Sequence, residues 1–142
     1  LIMNVVYNNQ GKALEKNINI ECDLESIDSY LDKDKISQVI VNLLSNAIRY
    51  TNNGGKIFIS SYKENNNLKI QFKDNGIGIP KENIKYIFER FYRVAESRST
   101  NTGGIGVGLT IVKSIIDLHQ GTIEVRSELN KGSEFIVILP NL

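Results

Sequence analysis

The chain has 142 residues, 41% of them hydrophobic, and its 17 Lys+Arg against 16 Asp+Glu leave a net charge of +1. That length suits one domain with room for a full core, and the balanced charge excludes bulk attraction to nucleic acid or to an acidic membrane, so any phosphate binding must be local and built from placed groups. A single cysteine, Cys22, excludes an intramolecular disulfide and a cysteine-only metal site, and no run of 18 apolar residues is present to cross a membrane.

In chain order, Leu1, Met3, Val6, Ala13 and Leu14 are spaced as in a helix. The chain opens at Leu1 already in apolar-periodic sequence, and we read residues 1–16 as the end of a helix arriving from an upstream domain. Residues 17–142 form the domain proper. Asn17 to Leu24 alternates, with Ile18, Ile20 and Cys22 on one side, and predicts a strand in which Cys22 is small buried filler. A polar connection then leads to a helix over Asp34 to Thr51, with Asp32 or Asp34 as its N-cap.

That helix carries two stripes. Ile36, Ile40, Leu43, Leu44 and Ala47 are apolar; Lys35, Gln38, Asn42, Asn46 and Arg49 line a second face. Asparagines are poor helix formers because they compete for the backbone. A side-chain amide can, however, offer its oxygen to a hard cation and its nitrogen to a phosphate oxygen. A plain solvated face explains the same stripe, and the helix alone does not decide between the two.

Asn52-Asn53-Gly54-Gly55 ends the helix. Lys56 to Tyr62 and Leu68 to Lys73 alternate and predict a hairpin turning at Glu64 to Asn67. A glycine loop, Asp74 to Pro80, precedes a short helix over Lys81 to Phe88. Glu89 to Gly108 is long and rich in Arg, Ser, Thr and Gly, which points to a functional lid or to disorder; we expect Ala95 to Gly106 to be mobile without a ligand. A second amphipathic helix follows over Val107 to His119, buried through Leu109, Val112, Ile115 and Ile116. Gly121 to Ser127 and Ser133 to Leu139 close the chain as a second hairpin around Asn130-Lys131-Gly132.

Three stretches carry chemistry. Asp74-Asn75-Gly76-Ile77-Gly78-Ile79 puts a carboxylate at a strand end with two glycines behind it, so that backbone can approach a flat ligand while the carboxylate accepts from its amine; a tight D-N-G turn explains the same residues without any ligand. Gly103-Gly104-Ile105-Gly106-Val107-Gly108 runs into a helix start, whose amides suit phosphate. Its spacing is neither that of a dinucleotide fingerprint nor that of a P-loop, and alone it is as well a hinge. Ile87-Phe88-Glu89-Arg90-Phe91-Tyr92-Arg93 interleaves aromatics that pack with arginines that can reach a phosphate.

Taken together, NLLSNAIRYT, DNGIGI, FERFYR, GGIGVGL and GSEF, in this order, resemble the ATP-binding catalytic domain of two-component sensor histidine kinases, in the superfamily shared with type II topoisomerases and mismatch-repair ATPases. The resemblance spans Ile18 to Leu139. It implies an α+β fold, a two-layer α/β sandwich of the Bergerat ATP-binding type, with three helices on a mixed, mainly antiparallel five-stranded sheet. It implies ATP and Mg²⁺ as ligands, with Asn46 and Asn42 at the metal, Arg49 on phosphate and Tyr50 flanking the sugar and base. Asp74 would take the adenine amine, Gly76 and Gly78 would let the base in beside Ile79, and Arg93 would sit near the terminal phosphate. Gly104, Gly106, Val107, Gly108 and Leu109 match the glycine lid and its buried follower. Asn42, Asn46 and Arg93 would be the catalytic residues. The last box has Ser133 where the family usually has threonine, which keeps the hydroxyl.

In the ATP-hydrolysing relatives the residue one turn before the metal asparagine is a glutamate that activates water. Here it is Asn42, which cannot act as a base. The resemblance therefore implies transfer of the γ-phosphoryl group to a histidine, not hydrolysis. The one histidine, His119 in LHQG, reads as a helix C-terminal residue, so the acceptor belongs to an upstream dimerisation domain and the fragment alone would not autophosphorylate. The implied partners are that domain and a response regulator receiver domain; the parent would be a membrane-anchored bacterial homodimer with this part in the cytoplasm, the fragment a monomer. Rival readings are a water-activating ATPase, disfavoured by Asn42, a serine kinase of the anti-sigma-factor type, disfavoured by FERFYR and the incoming helix, and a non-catalytic nucleotide-sensing or docking module, whose signature would be loss of Asp74 or Asn46.

Overall fold

The structure, a computed structural model, describes residues 1–26, 31–88 and 105–140, with residues 105–107 described by their backbone alone. Helix α1 (Ile2–Glu15) leads into strand β1 (Asn19–Leu24), helix α2 (Lys33–Tyr50) and the hairpin of β2 (Lys56–Glu64) and β3 (Asn67–Asp74). A 3₁₀ turn over Lys81–Tyr86, helix α3 (Ile105–Leu118) and the hairpin of β4 (Thr122–Glu128) and β5 (Gly132–Pro140) complete it. The short helix expected after Pro80 is thus of the tighter kind, and α3 begins two residues before the expected Val107.

The strands form one five-stranded sheet in the order β1-β2-β3-β5-β4. Only β1 and β2 run parallel; the other neighbours are antiparallel. The β2–β3 turn is made by Asn65 and Asn66, both in the left-handed region at φ 52° and 64°. Two successive positive φ values match the right-handed twist of the flanking strands, and asparagine tolerates them.

Helices cover one face of the sheet. Ile57 and Ile59 of β2, Leu68, Ile70 and Phe72 of β3, and Phe135, Val137 and Leu139 of β5 are buried beneath them. From α2 come Ile36, Val39, Ile40, Leu43, Leu44, Ala47 and Ile48, a wider stripe than the sequence shows because Val39 and Ile48 are buried too. Each such Val, Leu or Ile side chain stabilises the fold by about 1.5–3 kcal/mol. From α3 come Leu109, Val112, Ile115 and Ile116. Asp32 caps α2, its carboxylate accepting from Lys35 N at 3.1 Å.

The strand register places the polar groups. Ile57 pairs with Asp74, Asp74 with Ser133, and Ser133 with Ser127. Side chains two residues apart on a strand share a face, so this row lies on the helix-covered side, one step from the apolar row of Ile59, Phe72, Phe135 and Val125. One end of the apolar core is therefore closed by a carboxylate and two hydroxyls.

Candidate functional site

A cleft opens where that polar row meets the C-terminal half of α2. It holds about 540 Å³ including its mouth. Leu43 and Ala47 form one wall, Phe72 and Phe135 the floor, and Ile77 and Ile79 the opposite wall; Asn46, Tyr50, Asp74 and Ser133 are its polar groups. An apolar slot with a few convergent polar atoms suits a flat heterocycle with one or two hydrogen-bonding edges.

Asp74 sits at the end of β3, and its Oδ1 accepts from Gly76 N at 2.9 Å and from Ser133 N at 3.3 Å. Both bonds fall on one oxygen, and among the described residues Oδ2 takes none. Burial pushes the Asp74 carboxyl above its ordinary range, and the two backbone donors pull against that shift. A half-buried acceptor with a spare oxygen calls for a donor from a ligand.

The loop after Asp74 is held from three sides. Asn75 Oδ1 accepts from Lys56 N at 2.8 Å, Ile77 N donates to Tyr50 O at 3.0 Å, and Asn130 N donates to Ile77 O at 2.7 Å. Ser127 Oγ accepts from Ile79 N at 2.7 Å and stands 2.8 Å from Ser133 Oγ. A Cβ at Gly76 would lie 2.1 Å from Tyr50 O, and one at Gly78, where φ is +73°, 2.1 Å from Glu128 O. On those sides the protein's own backbone takes the room, so that the loop can lie against α2 and the β4–β5 turn; admission of a base beside these glycines stays an expectation. Gly78 lines the cleft as well.

Asn42 and Asn46 are both half-buried on α2. Asn42 Nδ2 donates to Gly108 O at 3.4 Å, tying α2 to the first turns of α3. Asn46 lines the cleft, and its Nδ2 is buried without a partner among the described residues. An unpaired buried amide costs about 1–3 kcal/mol, which a ligand oxygen would recover. A carboxamide pair one turn apart therefore fits a hydrated divalent cation and phosphate: each can turn an oxygen to the metal or a nitrogen to the anion. Arg49 lies exposed on the last turn of α2.

Residues 31–142 match the family described as "Histidine kinase-, DNA gyrase B-, and HSP90-like ATPase". The chain belongs to that family. It is 41% identical to the sensor histidine kinase YclK of Bacillus subtilis over 134 residues, covering 92% of this chain and 28% of YclK. Its fold matches the catalytic domain of histidine kinase ThkA with a TM-score of 0.84 at 32% identity, over 99% of this chain and 90% of that one. ThkA in complex with the response regulator TrrA gives 0.79 at 28% identity, over 99% of this chain and 39% of that one. Full-length ShkA in complex with AMPPNP gives 0.83 at 25%, over 99% and 29%. The two-layer sandwich with a mixed five-stranded sheet is the fold of these histidine kinase catalytic domains.

Within this ATPase-family domain, Asn46, Tyr50, Asp74, Gly78 and Ile79 line the cleft, Asn42 lies one turn before Asn46 with its amide on Gly108 O, and Gly76 lies in the loop that shapes the cleft. Gly106 and Val107 fall in the first turn of α3. Leu109 is fully buried in the core, so its side chain serves packing and only its backbone is left for a ligand. A Cβ at Gly108 would meet nothing closer than Asn42 Cγ at 4.0 Å. Arg93, Gly104 and most of FERFYR lie outside the described residues. His119 is spent on the fold: Nδ1 faces Ile115 O at 2.9 Å and Nε2 accepts from Asp32 N at 3.2 Å, joining the C-terminus of α3 to the N-terminus of α2.

Sequence reading missed Ser127 and the full part of Ser133. Ser127 sits in an ordinary alternating strand with no motif around it, and only the register with β5 brings it under the Ile79 amide.

Proposed function

We propose that the chain binds Mg²⁺·ATP between α2 and the Asp74 loop and donates the γ-phosphoryl group to a histidine on a separate upstream domain. The phosphoryl group would then pass to a response regulator. The observation that carries this reading is Asp74: a carboxylate at the floor of an apolar slot, held through Oδ1 by Gly76 N and Ser133 N, with Oδ2 left for a donor such as the adenine amine. Asn42 and Asn46 would hold Mg²⁺, which supplies charge neutralisation on the phosphates. Arg49 and Arg93 would add the remaining positive charge.

The choice of transfer over hydrolysis rests on Asn42, a group that accepts no proton. Engagement of both His119 ring nitrogens, Nδ1 with Ile115 O and Nε2 with Asp32 N, supports an acceptor elsewhere. α1, which packs Val5, Val6 and Ala13 into this domain's core, would lead in from the upstream phosphoacceptor domain. That ShkA was solved with AMPPNP and ThkA with TrrA supports a nucleotide ligand and a response regulator partner. The similarity to sensor kinases supports a dimeric, membrane-anchored parent; among the described residues no helix is long and apolar enough to cross a membrane.

Calorimetric titration with ATP, ADP and GTP in Mg²⁺ tests the reading. Adenine-selective binding that Asp74→Asn abolishes is expected. Equal binding of GTP, or none of either nucleotide, would overturn it.

A further inference from the structure

α2 does not end by turning back on itself. Its C-cap, Thr51, is extended at φ −94° and ψ 133°, so the last carbonyls of the helix need partners from elsewhere. Lys16 supplies them: its Nζ donates to Ile48 O at 2.8 Å and to Arg49 O at 3.0 Å. The next carbonyl, Tyr50 O, accepts from Ile77 N at 3.0 Å. Lys16 also accepts through its own carbonyl from Gly54 N at 2.8 Å, so it grips both the end of α2 and the connection to β2.

Lys16 is itself rigidly placed. α1 stops with Asn17 in the left-handed region at φ 54°. Ile18 N donates to Ala13 O at 2.9 Å and Asn17 N to Leu14 O at 3.0 Å. This paired-bond helix end, with Ala13 and Ile18 buried against each other's turn, fixes the direction in which the Lys16 side chain leaves α1. Partial burial lowers its pKa from the ordinary lysine value, against the pull of the carbonyls it caps. The turn it caps carries Asn46 and Tyr50 into the cleft.

We propose that Lys16 is a positioning residue for the nucleotide site, coupling the direction of α1 to the last turn of α2 and, through Tyr50 and Ile77, to the loop behind Asp74. The inference rests on the nucleotide reading above and adds what sets the cleft's geometry. Every link is a short polar contact on a helix end or a backbone amide. A tilt of α1 pulls the ammonium from Ile48 and Arg49, frees the terminal turn and loosens the loop that shapes one wall. By linkage, a nucleotide that tightens the cleft must equally restrain the end of α1.

The test uses the whole 142-residue chain with Lys16→Met, which keeps the stem and removes the charge, and Lys16→Arg, which restores it. Titration with Mg²⁺·ADP is done well below the melting temperature, where lost stability alone leaves affinity unchanged. Lys16→Met is expected to weaken binding roughly fivefold, the factor a helix-terminal cation is worth, and Lys16→Arg to recover most of it. Without nucleotide, hydrogen exchange at the Ile77 amide should quicken in Lys16→Met while the Phe72 amide in mid-sheet holds. A lowered melting temperature with unchanged affinity and unchanged Ile77 exchange would reduce Lys16 to a plain helix cap and overturn the proposal. If the wild type fails to bind Mg²⁺·ADP, the nucleotide reading falls, and Ile77 exchange alone then decides whether Lys16 holds the loop.

Discussion

Asp74 joins two properties that ordinarily conflict. Its burial raises its pKa, so the folded state holds a proton more readily than the unfolded chain. Stability linked to this group is therefore fully present below the unfolded pKa and is lost as pH rises through the folded one. At neutral pH the charged carboxylate works against folding and in favour of ligand. Asp74→Asn keeps an oxygen for Gly76 N and Ser133 N, and should melt no lower than wild type at pH 7. The difference should shrink as pH falls through the window above the ordinary Asp value. Adenine nucleotide affinity should fall at least about tenfold, the worth of a hydrogen bond to a charged group. Thermal melts across pH and calorimetry at pH 7 check both halves; a destabilised Asp74→Asn at neutral pH would contradict the argument. His119→Ala should cost about 1 kcal/mol, from the lost bond between α2 and α3, and leave nucleotide affinity untouched.

At the scale of elements, two glycines in family motifs separate into different classes. Gly76 is pressed on the end of α2, and Gly76→Ala must push the loop off Tyr50, since backbone cannot rotate away as a side chain can. A loss of roughly 1–3 kcal/mol is expected, with nucleotide binding lost beside it. Gly108 is helical, and among the described residues an added Cβ would meet only Asn42 Cγ, at 4.0 Å. Gly108→Ala should therefore raise stability by up to about 1 kcal/mol, while weakening nucleotide binding if the first turn of α3 closes over phosphate. Denaturant melts with paired titrations distinguish the two. Mobility of the glycine-rich segment before α3 stays an expectation, as it lies outside the described residues.

At the scale of the whole molecule, binding and stability are linked. A nucleotide held only by the folded state, at a hundred times its dissociation constant, should stabilise the domain by about 2.7 kcal/mol. For a chain of this size that is several degrees in melting temperature, with ADP effective and GDP not. Incubated with labelled ATP, the purified chain should yield no phosphohistidine, because both ring nitrogens of its one histidine are engaged, with Ile115 O and Asp32 N. Label on the protein would refute the separate-acceptor reading.

Much of this was legible in the sequence because it is written in short-range chemistry. The 3.6-residue stripe of α2, the paired asparagines of the β2–β3 turn and the Asp-Asn-Gly loop at a strand end each announce themselves within a dozen residues. So do the boxes that mark the family, since their spacing along the chain is what the resemblance reads. What only the tertiary structure decided are the contacts whose partners are far apart in sequence. The register of β3 on β5 brings Ser133, 59 residues away, to the Asp74 carboxylate. The packing of α1 on α2 sets Lys16 over carbonyls 32 and 33 residues on. Gly76 and Gly78 read as room for a ligand, and only the packed backbone shows that a Cβ at either would strike Tyr50 O or Glu128 O. A sequence records which groups a residue can bond; which of them it meets is fixed by how the layers close.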